Sequence, residues 1–191
     1  MCGINGFLDL KNIHNKDEAL NIIKIMNSKV LNRGPDDTGE WGDEKQGVYL
    51  GHQRLSILDL SISGHQPMST ELNRYHIVFN GEIYNHLALR SILEDLSNKI
   101  IWKGSSDTET LIRCFEAFGI EKTLQLIDGM FAIAIWDSRD NKLFLVRDRF
   151  GEKPLYCSKW NPSNSYFLFS SDLNALTSHL GFSSTVDRYS L

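Results

Sequence analysis

No run of basic residues marks this chain of 191 residues: Lys and Arg are scattered and the net charge is −4. That excludes a polybasic stripe for nucleic acid or an acidic membrane surface. No apolar stretch approaches the ~20 residues that span a bilayer. No basic segment followed by an apolar one opens the chain, so no secretory signal is visible. Cysteine is scarce: Cys2, Cys114 and Cys157 are odd in number and lack metal-ligand spacing. Cys114 falls in a helical pattern and Cys157 in a strand pattern, and both are expected as buried thiols in a reducing compartment. A cytoplasmic protein is the expectation. Internal repeats and low-complexity tracts are also missing.

What remains is an ordinary globular composition, 41% hydrophobic and 23% charged, long enough for one domain with a sizeable core. Gly3 to Leu10 reads as a strand. Asp17 to Asn32 has apolar residues at helical spacing, and Arg33-Gly34-Pro35-Asp36-Asp37 breaks it. Val48 to Leu50 and Leu55 to Leu58 look like strands, and Gly64 to Pro67 like a loop. His76 to Phe79 is a strand that should stop at the turn signal Asn80-Gly81. Helices follow over Asn85 to Leu96, from a capping box at Ser106 and Glu109 to Phe118, and over Glu121 to Ile127. Met130 to Trp136 and Lys142 to Arg147 form a hairpin. Leu155 to Ser158 and Tyr166 to Ser170 are strands, and a last helix starts at Asp172. Paired strands with clustered helices argue an α+β fold with antiparallel sheet rather than alternating βαβ units.

Several residues carry chemistry. Only Met1 precedes Cys2, and an initiator Met is normally removed before a residue as small as Cys. The new N-terminus would hold a thiol and an amine on one residue. The amine titrates near ~7.7 to 8.0, so nucleophile and base would be covalently joined. Asn80 and Gly81 offer a side-chain amide and a backbone N–H side by side, the donors of an oxyanion hole, although Asn-Gly alone is an everyday turn. Arg54 could clamp a carboxylate in a bidentate fork, or be a structural cation. Glu82 adds a carboxylate beside the turn. Asp107 opens a helix, where capping and ligand binding are both open to it. Together Arg54, Glu82 and Asp107 match the charges of a free amino acid. His52 and His65 raise a Cys-His dyad as another possibility.

The ordered motifs say more. They are Cys2-Gly3-Ile4, Arg33-Gly34-Pro35-Asp36, His52-Gln53-Arg54-Leu55-Ser56-Ile57, Gly64-His65-Gln66-Pro67-Met68, Asn80-Gly81-Glu82-Ile83-Tyr84-Asn85, Ser106-Asp107-Thr108-Glu109, Asp128-Gly129-Met130-Phe131-Ala132 and Arg147-Asp148-Arg149-Phe150-Gly151-Glu152-Lys153-Pro154-Leu155-Tyr156. In this order the chain closely resembles the class II glutamine amidotransferase domain of bacterial glutamine-dependent asparagine synthetases. The resemblance implies an N-terminal nucleophile hydrolase fold, a four-layer αββα sandwich with two antiparallel sheets. It implies Cys2 as nucleophile and Asn80 and Gly81 as oxyanion hole. For L-glutamine it implies Arg54 at the α-carboxylate and Glu82 and Asp107 at the α-ammonium, with Leu55, Ile57 and Leu58 completing the pocket.

The resemblance also places residues 1–186 in the amidotransferase domain and 187–191 at the start of a linker or helix. No metal or cofactor is expected in this domain. ATP and Mg belong to a synthetase domain, in cis or in trans, because the Ser-Gly-Gly-x-Asp-Ser loop is not in this sequence. A homodimer is possible. Asn174 and Gln53 replace residues often charged in the family, and neither falls in the expected pocket. Two other readings compete: an idle partner domain docking through the Arg147 to Tyr156 loop, and an amidotransferase for another acid, such as a polysaccharide sugar acid.

Overall fold

The computed structural model describes residues 1–97, 100–160 and 163–184. Two antiparallel sheets lie face to face. The first has the order β2 (Asp37–Asp43), β3 (Val48–Arg54), β1 (Gly3–Asp9), β9 (Tyr166–Ser170), β8 (Tyr156–Cys157). The second has the order β4 (Met68–Ser69), β5 (Tyr75–Ile83), β6 (Gly129–Asp137), β7 (Lys142–Arg147). Strand alternation divides the apolar residues between faces. Ile4, Leu50, Val78, Ala132, Ala134 and Phe169 fill the space between the sheets. Phe7 and Tyr49 point outward and pack under α1 (Lys16–Ser28) and α5 (Leu173–Thr177). Ile77, Ile133 and Ile135 face outward on the other side, beneath α2 (His86–Leu96), α3 (Asp107–Phe118) and α4 (Ile120–Leu126). Helices thus cover both outer faces, giving the expected αββα sandwich.

The local expectations hold unevenly. Strand β9 and the β6–β7 hairpin form where expected. Helix α1 ends at Ser28, and Leu31–Arg33 is a separate 3-10 turn. Its capping box is at Asn15 and Glu18. At α3 only half a box forms: Ser106 accepts from the Glu109 N–H at 3.2 Å. The Glu109 carboxylate instead accepts from the N–H groups of Lys103 and Gly104.

Three expectations fail for identifiable reasons. Leu55 to Leu58 is not a strand, because the Arg54 guanidinium donates to the carbonyls of Ser61, at 2.8 Å, and Asp59, folding the chain back into a loop. Asn80-Gly81 is not a turn. Strand β5 runs on to Ile83, with Asn80, Gly81 and Glu82 opposite Ala132, Phe131 and Met130 of β6. Gly81 is required by proximity, since a Cβ there would overlap the Met130 carbonyl oxygen. Cys157 is exposed rather than buried, on a strand shortened to Tyr156–Cys157, while Cys114 is buried. Strand β2 was not anticipated, having only Trp41 as a large apolar residue. The boundary at 187–191 lies outside the described residues.

Candidate active site

The beginning of β1, the end of β3, the second half of β5 and the first turn of α3 converge on one cleft of about 300 Å³. That is the small end of ligand-pocket sizes. Cys2, Arg54, Leu55, Ile57, Leu58, Asn80, Gly81, Glu82 and Asp107 all line it. Residues far apart in sequence are joined because β1 pairs with β3, and β5 packs across from them.

Cys2 lies just ahead of β1. Its sulfur accepts from the Leu55 N–H at 3.4 Å and lies 3.6 Å from the Leu55 carbonyl oxygen. Its own carbonyl accepts from Arg33 Nε at 3.1 Å. Burial pushes the Cys2 thiol above its ordinary range, and the Leu55 N–H and nearby positive charges only partly oppose this. At neutral pH the resting group is therefore a thiol that needs a base to become a nucleophile.

Asn80 is 1% exposed, and its Nδ2 has no hydrogen-bond partner among the described residues. An unpaired buried amide is costly, and a donor so placed is free to meet an acceptor that enters the cleft. Gly81 adds a second donor by strand geometry, since alternate N–H groups along a strand point to the same edge. Phe79 N–H donates to Gln66 Oε1 at 2.7 Å, and Ile83 N–H to Asp107 Oδ2 at 2.9 Å. Gly81 N–H lies between them on that edge. Strand β4 ends opposite His76 and Ile77, short of Gly81. On the other edge, Phe131 commits its N–H to the Asp148 carboxylate and its carbonyl to the Asp148 N–H.

Charges divide the cleft. Arg54 is buried, with donors left over after its two loop contacts. A Cβ on Gly64 would overlap its Nη2, so glycine there lets the guanidinium lie flat against the backbone. Burial raises the Asp107 carboxyl above its usual range, partly countered by the Ile83 N–H. Asp59 holds the loop wall by accepting from Ser61 Oγ, Ser61 N–H and Ser105 N–H. Ile57 and Leu58 are exposed on that wall, at the cleft's rim.

The histidines do not join the thiol. His52 Nε2 meets the Phe79 carbonyl at 3.1 Å between the sheets, and burial lowers its pKa to about 4. His65 Nδ1 pairs with Asp37 Oδ2 at 2.7 Å. Neither lines the cleft. Sequence reasoning also left residues without a role that the structure supplies. Arg33 anchors Cys2. Asp36 accepts from Ser56 N–H at 2.8 Å, and buried Gln66 bridges Phe79 N–H to Thr108. Lys153 reaches the cleft from the loop after β7. All four stood inside the quoted motifs, which was the available signal.

The sandwich and the cleft at the start of β1 define an N-terminal nucleophile amidotransferase fold. Glutamine phosphoribosylpyrophosphate amidotransferase from B. subtilis, solved with ADP and GMP, shares it with a TM-score of 0.72 at 19% identity, over 92% of this chain and 43% of that one. The family profile for the glutamine amidotransferase domain matches residues 1–191, and the chain belongs to that family. Among curated relatives, asparagine synthetase [glutamine-hydrolyzing] 3 of Bacillus subtilis is 35% identical over 193 residues, covering 100% of this chain and 30% of the relative. Asparagine synthetase [glutamine-hydrolyzing] 2 of the same organism is 38% identical over 179 residues, covering 94% and 22%. Amidase chry2 of Gibberella zeae is 35% identical over 164 residues, covering 82% and 24%. The chain thus spans about a third or less of these relatives.

Proposed function

We propose that this domain hydrolyses L-glutamine to L-glutamate and ammonia through a thioester on Cys2. The observation that carries the reading is the buried, unpartnered Asn80 amide in the same cleft as the Cys2 thiol. Removal of Met1 frees the α-amine of Cys2. Arg54 receives the substrate α-carboxylate, and Glu82 and Asp107 receive its α-ammonium. The amine takes the thiol proton as sulfur attacks the side-chain amide carbon. The resulting oxyanion is held by Asn80 Nδ2 and Gly81 N–H. The proton passes to the departing nitrogen, the C–N bond breaks and ammonia leaves. Water, deprotonated by the same amine, attacks the thioester, and glutamate and the thiol are regenerated. Glu82 and Asp107 suit a zwitterion, since an uncompensated carboxylate pair would repel.

The asparagine synthetase relatives support a second step outside this chain, in which an ATP- and Mg-dependent synthetase domain uses the ammonia to amidate aspartate. A cytoplasmic location suits that step. Among the described residues no helix is long and apolar enough to cross a membrane.

The test is glutamate release by the Met1-free protein and by its Cys2→Ala variant. Release should vanish in the variant while the circular dichroism spectrum is kept. Turnover that persists in the variant would contradict the proposal.

A further inference from the structure

Lys153 is 7% exposed, yet no carboxylate lies within ion-pairing distance of its ammonium among the described residues. Its Nζ is held instead against Met1 Sδ, at 3.5 Å, inside the cleft that contains Cys2. The stem of Lys153 is buried while its charge meets no anion among the described residues, so the charge is left uncompensated in the cleft. The loop that carries it is built with care. Asp148 is buried and accepts from the N–H groups of Phe150, Glu152 and Lys153, while Arg147 Nε donates to the Lys153 carbonyl at 2.8 Å. The backbone that carries Lys153 is thus fixed by Arg147 and Asp148, where β7 ends.

Among the described residues, the hydrogen-bond partner of Lys153 Nζ is Met1, the residue that processing would remove. Five bonds join Met1 Sδ to the Cys2 nitrogen, so Nζ lies within ~10 Å of that nitrogen. We propose that Lys153 is a positioning residue that keeps the α-amine of Cys2 neutral, and so able to accept a proton, once Met1 has gone. The inference rests on the glutaminase reading for its purpose, although the electrostatic effect does not need turnover. A like charge disfavours the protonated amine, and at that range the effect is about one pH unit at an effective dielectric of ~20.

Other charges face the same amine. Arg33 and Arg54 act in the same direction as Lys153, from the 3-10 turn and the end of β3. Asp59 of the loop after β3, Glu82 of β5 and Asp107 of α3 oppose it, and the Cys2 thiol opposes it only when ionised. Lys153 is the one that reaches the residue being removed. Replacing it therefore raises the amine pKa and moves the acid limb of activity to higher pH.

The experiment compares Lys153→Met, which keeps the stem and loses the charge, with Lys153→Arg, which keeps the charge. The pH profile of kcat/KM for glutamate release is measured on Met1-free protein. Independently, the pH dependence of acetic anhydride labelling at the α-amine is read by mass spectrometry in a Cys2→Ala background, where no thiol competes. The expected result is a midpoint about one unit higher in K153M in both measurements, with K153R close to the parent. A lowered plateau with an unmoved midpoint would overturn the proposal, as would K153R moving as far as K153M. If the amine midpoint moves but no variant or parent releases glutamate, the role of Lys153 stands and the glutaminase reading fails.

Discussion

The Leu55 N–H donates to the Cys2 sulfur at 3.4 Å, so the strand end that carries Arg54 also orients the nucleophile. The Arg54 guanidinium and the Cys2 thiol are therefore set by consecutive residues of one chain segment. Burial still keeps the thiol protonated near neutrality. In protein that retains Met1, alkylation of Cys2 by iodoacetamide should be slow at pH 7. Its rate should rise with a midpoint above the ordinary thiol range, as read by the pH dependence of labelling.

Asn80→Ala removes one of the two proposed oxyanion donors. The expected loss in kcat is about 10²- to 10³-fold, or ~3 to 4 kcal/mol, with KM little changed. Stability should fall little, because the amide Nδ2 has no hydrogen-bond partner among the described residues. Steady-state kinetics and thermal unfolding of the same variant check both halves.

Asp107→Asn keeps an acceptor for the Ile83 N–H and loses the charge proposed to meet the substrate ammonium. KM for glutamine should rise about 10- to 100-fold, matching ~1.5 to 3 kcal/mol for a charged hydrogen bond. Because burial raises this carboxyl, ionising it weakens folding as pH rises through its folded value. The asparagine variant should therefore be at least as stable as the parent at pH 8, by urea denaturation.

Gly64→Ala puts a methyl group where Arg54 Nη2 lies. Displacing the buried guanidinium breaks its bonds to the Ser61 and Asp59 carbonyls, so the loop that follows β3 loosens and some stability is lost with it. With Arg54 holding the substrate α-carboxylate as proposed, the expected outcome is a KM raised about tenfold with kcat nearly kept, because such a contact acts in ground and transition states alike.

Acid should undo the walls of the cleft. At Asp59 the Ser61 hydroxyl, and at Asp148 backbone donors that outweigh burial, hold the carboxyls below their usual range. Groups lowered in this way stabilise the fold above the unfolded value of ~3.9, and that contribution is lost as pH falls through the folded value. Asp148→Asn should cost about 1 to 3 kcal/mol at pH 7 and show a shallower further loss between pH 5 and 3, measured by urea midpoints.

Much of this was legible in the sequence, but unevenly. Alternation and helical spacing located β1, β9, the β6–β7 hairpin and α3, because one face of each is buried and apolar. Arg54, Glu82 and Asp107 were legible as a charge set and Asn80 as an amide donor, and the structure gathers them in one cleft with Cys2. What sequence could not show is tertiary. Asn80-Gly81 has the local chemistry of a turn, but pairing with β6 overrides it. Leu55 to Leu58 has strand composition, but Arg54 pulls the following carbonyls back. Lys153 and Arg33 act across more than thirty residues, through contacts that leave no local pattern.

The central claim is that Cys2 forms a thioester with the glutamyl group, and hydroxylamine trapping tests it most directly. With L-glutamine and Met1-free protein, hydroxylamine should divert product from glutamate to γ-glutamyl hydroxamate, and Cys2→Ala should yield neither. Glutamate release that is indifferent to hydroxylamine and survives in Cys2→Ala would contradict the account.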